Sequence, residues 1–216
     1  MASSSCWPKG VRRLRDYDWS SIDAKVQERH RWQRTTAAAS DELSLSRICL
    51  NNNNKRKKSS SSSLRRPPIV CSSMTTSKIK FCKISDKNHP AFGQFGAFAS
   101  CTIKPGELIV EYLGVVKERT EQVDSSPYAL SFAPGIVVDA LEAGNEARFV
   151  NDARGTGKEQ NACFKTYWRL TSGGGKKKNA KRAERRIGYF CCKTKIRRGE
   201  EILTRYGKGF WSGDSG

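Results

Sequence analysis

The chain has 216 residues, enough for one domain of ordinary size with or without a tail. Lys and Arg number 40 against 21 Asp and Glu, a net charge of +19, which favours anionic partners. At 37% hydrophobic residues, with no apolar run near the roughly 20 needed to cross a bilayer, a membrane protein is excluded from consideration.

Residues 1–76 differ in composition from the rest of the chain. They carry the Asn51–Asn54 and Ser59–Ser63 runs, the basic Lys55–Lys58 and Arg65-Arg66-Pro67-Pro68. Few apolar residues are spaced to make a buried face, so little offsets an ordering cost of about 1–2 kcal/mol per backbone residue. The expectation is a disordered, Ser/Asn-rich basic tail. Trp19, Ile22, Val26 and Arg29 follow helical spacing, so a short helix within Trp19–Trp32 is compatible with the pattern. The first 15 residues are Ser-rich and basic, as in a transit peptide, but Asp16, Asp18 and Asp23 follow at once. The Lys55–Lys58 run has the composition of a nuclear localisation signal and equally that of a solvated charge run.

From residue 77 the texture becomes that of short strands. Ile79–Ile84 alternates apolar and polar residues, followed by Phe95–Ala99, a turn at Lys104-Pro105-Gly106, and the β-forming run Leu108–Val116. Ile136–Val138 is a further short strand. Ala162–Leu170 and Ile187–Ile196 are strand-like and joined by a loop of Gly173–Gly175 and a basic stretch to Arg186. Arg197-Arg198-Gly199 reads as a turn and Glu201–Tyr206 as a last strand. Residues 165–198 hold 13 Lys/Arg and one acid, Glu184. This basic hairpin, with its insert at about 171–186, is either a solvated tip or a patch for nucleic-acid phosphates. The domain expectation is a tail over 1–76 and a mostly β domain over 77–216.

The eight cysteines include no C-x-x-C pair, so no zinc knuckle and no metal site is expected. The thiols are expected to be reduced and mostly packed.

Five motifs then occur in order: Gly96-Ala-Phe-Ala99, Ile103-Lys-Pro-Gly106, Glu111-Tyr-Leu-Gly114, Gly144–Asn151 with Asn161 ten residues on, and Ile196–Gly207. Over about residues 77–207 the chain resembles a SET domain, the fold of many protein lysine methyltransferases. The resemblance implies small curved β-sheets (the β-clip) with a C-terminal pseudoknot that brings Asn151 and Tyr206 to one site. It implies S-adenosylmethionine as methyl donor and a lysine amine as acceptor, entering from opposite faces. Tyr206 would be catalytic, together with Tyr112 at the lysine channel. Phe95, Gly96, Tyr128, Arg148, Phe149, Asn151, Asp152, Tyr206 and Trp211 would meet the cofactor. Phe210 is an alternative to Trp211 for stacking on adenine, and Arg148 either supports the turn or faces the cofactor carboxylate. Phe164 would line the lysine channel with Tyr112 and Tyr206, and a phenyl ring there implies di- or trimethylation.

The chain departs from the common pattern in four places. Gln94 replaces the first glycine of Gly-x-Gly, and Val115 replaces a common Glu. Asn151-Asp152-Ala153-Arg154 stands where Asn-His-Ser-Cys is usual, and no zinc-binding cysteine cluster precedes or follows the motifs. The expected substrate is a histone tail or another basic chromatin protein, with DNA or nucleosome contact through Lys176–Arg186 and a nuclear location. Cytosol and plastid stay open, as do two other functions: a catalytically inactive SET module binding chromatin or nucleic acid, and a methyltransferase of a non-histone protein.

Overall fold

The computed structural model describes residues 7–34, 69–70, 78–172, 181–192 and 194–206. In chain order its elements are β1 (Arg12–Arg13), α1 (Ala24–Arg31), β2 (Trp32–Arg34), β3 (Ile69–Val70), β4 (Ile79–Lys83), β5 (Phe95–Ala99), β6 (Leu108–Glu111) and β7 (Gly114–Glu118). They continue with α2 (Glu121–Asp124), β8 (Ala129–Ala133), β9 (Ile136–Gly144), a 310 turn (Glu146–Phe149), β10 (Asn151–Asp152), β11 (Ala162–Ser172), β12 (Lys181–Cys191) and β13 (Leu203–Thr204). The fold is mostly β, as expected. The chain forms two compact units: Met1–Asp23 with Thr75–Lys165 and Ile187–Gly216, and Ala24–Met74 with Thr166–Arg186.

The first unit is a set of small sheets. β7, β8 and β1 all pair with β9, β4 pairs with β5, and Gly188–Phe190 of β12 pairs with β6. The β8–β9 hairpin turns through Pro134-Gly135, where Gly135 takes φ 71°, a conformation that costs a glycine nothing. The run Leu108–Val116 does not make one strand. It leaves β12 after Glu111 because Leu113 N–H donates to Asn145 Oδ1, and it joins β9 at Gly114. A Cβ at Gly114 would lie 2.5 Å from Asp139 O, so this crossing admits only glycine. β9 is nine residues, longer than the expected Ile136–Val138, because both β7 and β8 supply hydrogen-bond partners along it. Ile103, Ile109, Val116, Phe132, Val138, Ile187, Ile196, Ile202 and Leu203 are buried, each contributing roughly 1.5–3 kcal/mol by removal from water.

The C-terminal motif is threaded between strands distant in sequence. Ile202 N–H donates to Ala97 O and Ala99 N–H to Glu200 O, while β13 pairs in parallel with β10. Only Leu203–Thr204 of the expected Glu201–Tyr206 strand is regular. Glu201 makes an isolated bridge to Phe98, and Ile196 one to Ile103, so the run Ile187–Ile196 ends as a strand at Cys191.

The disordered tail expected over 1–76 is corrected for residues 7–34. In the first unit, β1 pairs in parallel with Ala143–Gly144, and Asp18 bridges Val115. Tyr17, Trp19 and Ile22 are buried, and the rings of Tyr17 and Trp19 meet Phe132 at 5.3 and 5.7 Å. Ile187 N–H donates to the Tyr17 hydroxyl at 2.9 Å. The segment is too sparse in apolar residues to fold by itself; it is ordered because the β9 edge supplies backbone partners. Residues 1–6, 35–68 and 71–77 lie outside the described residues, and with them both low-complexity runs and the Lys55–Lys58 stretch.

Asp18 gives this strap a pH signature. Its carboxyl is held at about 2, against 3.8, first by the Ser20 N–H and hydroxyl and then by Arg12. A carboxyl depressed on folding stabilises above its unfolded value, and that contribution is lost as pH falls through the folded one. Asp18→Asn is therefore expected to flatten the stability–pH curve between about pH 4 and 2. Denaturant titrations across that range check it, and an unchanged slope would contradict it.

In the second unit, Arg182–Glu184 of β12 pairs antiparallel with β2, and Trp168–Arg169 of β11 pairs in parallel with β3. The expected basic loop therefore ends at residue 180, not at Arg186, since β12 begins at Lys181. This also corrects the Lys176–Arg186 contact surface. Arg186 is 1% exposed, and its guanidinium is bonded to the buried Glu184 rather than offered to phosphates. Residues 173–180 lie outside the described residues.

Of the five described cysteines, all free, Cys82 and Cys101 are exposed and Cys191 is buried, so packing holds for fewer thiols than expected. Among the described residues no group of three or more His, Cys, Asp or Glu is placed to hold a metal ion.

Candidate active site

Two asparagine clasps position the site. Asn145 accepts from Leu113 N–H at 3.1 Å and donates to Glu111 O at 2.8 Å, so the backbone on either side of Tyr112 is pinned. Asn161 accepts from Leu203 N–H at 2.9 Å and donates to Glu201 O at 2.8 Å, which pins the approach to Tyr206. An amide side chain suits this task because it donates and accepts at once, as a backbone peptide does.

The β10–β13 pairing brings Tyr206 beside Val150–Asp152. The Tyr206 hydroxyl donates to Val150 O at 2.8 Å, and its backbone N–H donates to Asp152 Oδ2 at 2.8 Å. Asp152 Oδ1 accepts from Arg154 N–H at 2.8 Å, and the Arg154 guanidinium reaches Tyr206 O at 3.2 Å. Asp152 is therefore a tie between the two crossing segments. Both of its oxygens are engaged by backbone N–H groups, and Arg154 closes the same ring of contacts from the other side. The Asp152 and Arg154 departures from Asn-His-Ser-Cys are thus one coupled arrangement.

Tyr112, Phe164 and Tyr189 form an aromatic wall. The ring centroids are 6.2 Å apart for Tyr112–Phe164, 6.2 Å for Tyr112–Tyr189 and 5.5 Å for Phe164–Tyr189, all edge-to-face. The Tyr112 hydroxyl donates to Tyr128 O at 2.8 Å. Burial pushes the Tyr112, Tyr189 and Tyr206 phenols above their ordinary value. Neighbouring phenols add to this at Tyr112 and Tyr189, and Asp152 adds to it at Tyr206. All three remain neutral hydrogen-bonding groups through physiological pH.

The residues expected at the cofactor have varied surroundings. Asn151 Nδ2 donates to Phe95 O at 3.2 Å and to Glu201 Oε1 at 3.3 Å. Gly96 is buried, and a Cβ there would stand 3.0 Å from Glu201 Oε1. Arg148 donates to Ala140 O and Leu141 O and lies 4.4 Å over the Tyr128 ring. The Phe149 ring is taken up in packing: it stacks on Phe81 at 4.9 Å and meets Phe95 at 5.3 Å and Trp7 at 5.5 Å. Phe210 and Trp211 lie outside the described residues.

Sequence reasoning missed Tyr189, Glu201, Asn145 and His89. Tyr189 carried a signal, a tyrosine in an alternating strand. Glu201 lay inside the last of the five motifs, but nothing in the spacing marked it as buried.

Solved structures similar to the chain include the Chaetomium thermophilum polycomb repressive complex 2 (26% identity, 62% of this chain, 16% of that chain, TM-score 0.44). A second is the same fungal complex in an autoinhibited conformation bound to S-adenosylmethionine (25% identity, 63% and 16%, TM-score 0.44). A third is that complex with H3K27me3 and H3K27M (26% identity, 60% and 14%, TM-score 0.42). The chain thus spans about a sixth of the length of the proteins in those structures. No curated protein matches it. S-adenosylmethionine is the methyl donor of SET-domain methyltransferases. The family model described as SET domain matches residues 94–207, more than half of the 216, and with Tyr206 threaded against Val150–Asp152 the chain belongs to the SET-domain family.

Proposed function

We propose that the chain is an S-adenosylmethionine-dependent protein-lysine N-methyltransferase acting on a histone tail or another basic chromatin protein in the nucleus. The reading is carried by one observation: an aromatic wall of the buried Tyr112 and Tyr189 with the half-buried Phe164, in the same unit as a Tyr206 hydroxyl held at Val150 O.

When bound, the cofactor supplies an electrophilic methyl group on a cationic sulfur. The residues present fit a cation of that kind. Asn151 has both amide hydrogens committed internally, leaving Oδ1 as an acceptor, and the buried Glu201 carboxylate stands behind it. Phe95, Gly96, Asn151 and Tyr206 would hold the cofactor. The acceptor must be a neutral amine, whereas free lysine has a pKa of about 10.4. The buried Tyr112 and Tyr189 rings, with the half-buried Phe164, disfavour the ammonium and limit water, which lowers that pKa. The Tyr206 hydroxyl and Val150 carbonyl are oxygens able to orient polarised methyl hydrogens by weak C–H···O contacts. Alignment of amine, carbon and sulfur then provides much of the rate. The site requires no enzyme nucleophile and no metal.

Arg169 and Arg186 are engaged by Glu184, so it is the remaining lysines and arginines of residues 165–198 that suit the DNA of a nucleosome whose histone tail is the substrate. The test is transfer of a radiolabelled methyl group to core histones, nucleosomes and whole lysate, with calorimetry of cofactor binding alongside. Label on a lysine of a chromatin protein is the expected result. Cofactor binding with label only on other proteins would move the substrate outside chromatin. No cofactor binding would leave an inactive SET module.

A further inference from the structure

Glu201 is a buried carboxylate that methyl transfer does not consume. Its side chain is 3% exposed, and the buried His89 ring stands beside it. Burying a carboxylate costs several kcal/mol unless its surroundings use it. Two polar side chains stand against its oxygens. Oε1 accepts from Asn151 Nδ2 at 3.3 Å, and Oε2 lies 3.2 Å from His89 Nε2, off the hydrogen-bond axis. His89 Nδ1 accepts from Ala91 N–H at 3.0 Å, so the ring hydrogen lies on Nε2, on the side of the carboxylate.

An asparagine amide has a soft, roughly two-fold terminal torsion, and a flip exchanges a donor for an acceptor. At Asn151 both internal neighbours, Phe95 O and Glu201 Oε1, are acceptors. Only one orientation satisfies them, the one with Nδ2 toward both acceptors and Oδ1 left free of them. With Phe95 O alone, one hydrogen bond would oppose the flip; the charged oxygen of Glu201 strengthens the preference. Gly96 keeps the place open, since a Cβ there would crowd Oε1 at 3.0 Å.

We propose that Glu201, braced by His89, is a positioning residue that locks the Asn151 amide with its oxygen presented to the cofactor. The consequence for the cofactor rests on the methyltransferase reading; the lock itself does not. Glutamine at 201 has one oxygen and cannot serve Asn151 and His89 together, so it breaks one contact without changing shape.

The test uses the full chain and four variants: Glu201→Gln, Glu201→Ala, His89→Ala and His89→Gln. The first readout is the side-chain amide signals of Asn151 in 15N-asparagine-labelled protein without cofactor. The second is the affinity for S-adenosylhomocysteine by calorimetry, with KM and kcat measured separately. Glu201→Ala is expected to accelerate solvent exchange of the Asn151 amide hydrogens. It should also weaken binding by about tenfold, with KM rising while kcat at saturation changes far less. His89→Ala should show part of this loss, and His89→Gln, which keeps an N–H donor at that place, should recover it. Unchanged Asn151 signals in Glu201→Ala would overturn the proposal. So would a loss of affinity that only tracks a lowered melting temperature. If the wild type binds no cofactor, the proposed function fails, and the Asn151 signals alone decide the lock.

Discussion

Tyr206→Phe is expected to reduce methyl transfer by about 100-fold or more, the scale set by removing one positioned polar group from a reacting centre. The hydroxyl is held on Val150 O at 2.8 Å, and the residue's backbone is tied to Asp152 at 2.8 Å. Phenylalanine keeps the backbone tie and the ring and deletes only the oxygen. Stability should therefore fall by about 1 kcal/mol, the net value of a neutral hydrogen bond. Cofactor affinity should stay within about threefold, because Asn151 and Phe95 are untouched and the Tyr206 ring, its part in holding the cofactor, is kept. Burial, and then Asp152, raise the phenol above its ordinary value, so its ionisation does not curtail the rate on the alkaline side. The wild-type rate should rise with pH as the substrate amine loses its proton, without a decline from Tyr206 before about pH 10. Single-turnover transfer, calorimetry and thermal melts separate these effects. A variant with the wild-type rate would remove Tyr206 from the chemistry.

Glu184→Gln is expected to destabilise the second unit by about 3–5 kcal/mol, the usual cost of leaving a buried ion without its counter-charge. The Glu184 carboxylate accepts from Arg31 at 2.7 Å, Arg169 at 2.9 Å and Arg186 at 2.6 Å. Arg186 is 1% exposed and cannot move its charge to water without unpacking β12. Glutamine keeps the shape and loses the charge, so the penalty falls on the arginines left behind. The double variant Glu184→Met with Arg186→Met should recover much of the loss, since it deletes the buried charges together. Chemical unfolding of the single and double variants measures this. A cost below about 1 kcal/mol for Glu184→Gln would mean that the cluster is solvated.

The burial of Arg186 also shows where reading the chain stopped. Counting charge over 165–198 located a basic stretch correctly but assigned it to a surface. Net charge is a sum over residues, whereas exposure depends on which strand a residue joins. The same holds for Tyr17, Trp19 and Ile22. The helical spacing of Trp19, Ile22, Val26 and Arg29 is realised as a helix only over Ala24–Arg31, whereas Tyr17, Trp19 and Ile22 are buried ahead of it because β9 and Val115 offer backbone partners to their segment. No local pattern records a partner 97 or 131 residues away, the separations of Asp18 from Val115 and of Arg12 from Ala143.

By itself the sequence determined the chemical inventory and the local geometry. The ordered motifs identified the family, Pro-Gly and Gly punctuation placed the turns, and β-formers placed most strands, because each depends on neighbours a few residues apart. Only the tertiary structure decided which groups share a site. Asn151 meets Glu201, Tyr112 meets Tyr189, and Asp152 meets Tyr206 across gaps of 50 to 77 residues. Those meetings come from threading the C-terminal segment between β5 and β10, where hydrogen bonds between remote strands, rather than any local propensity, bring the side chains together.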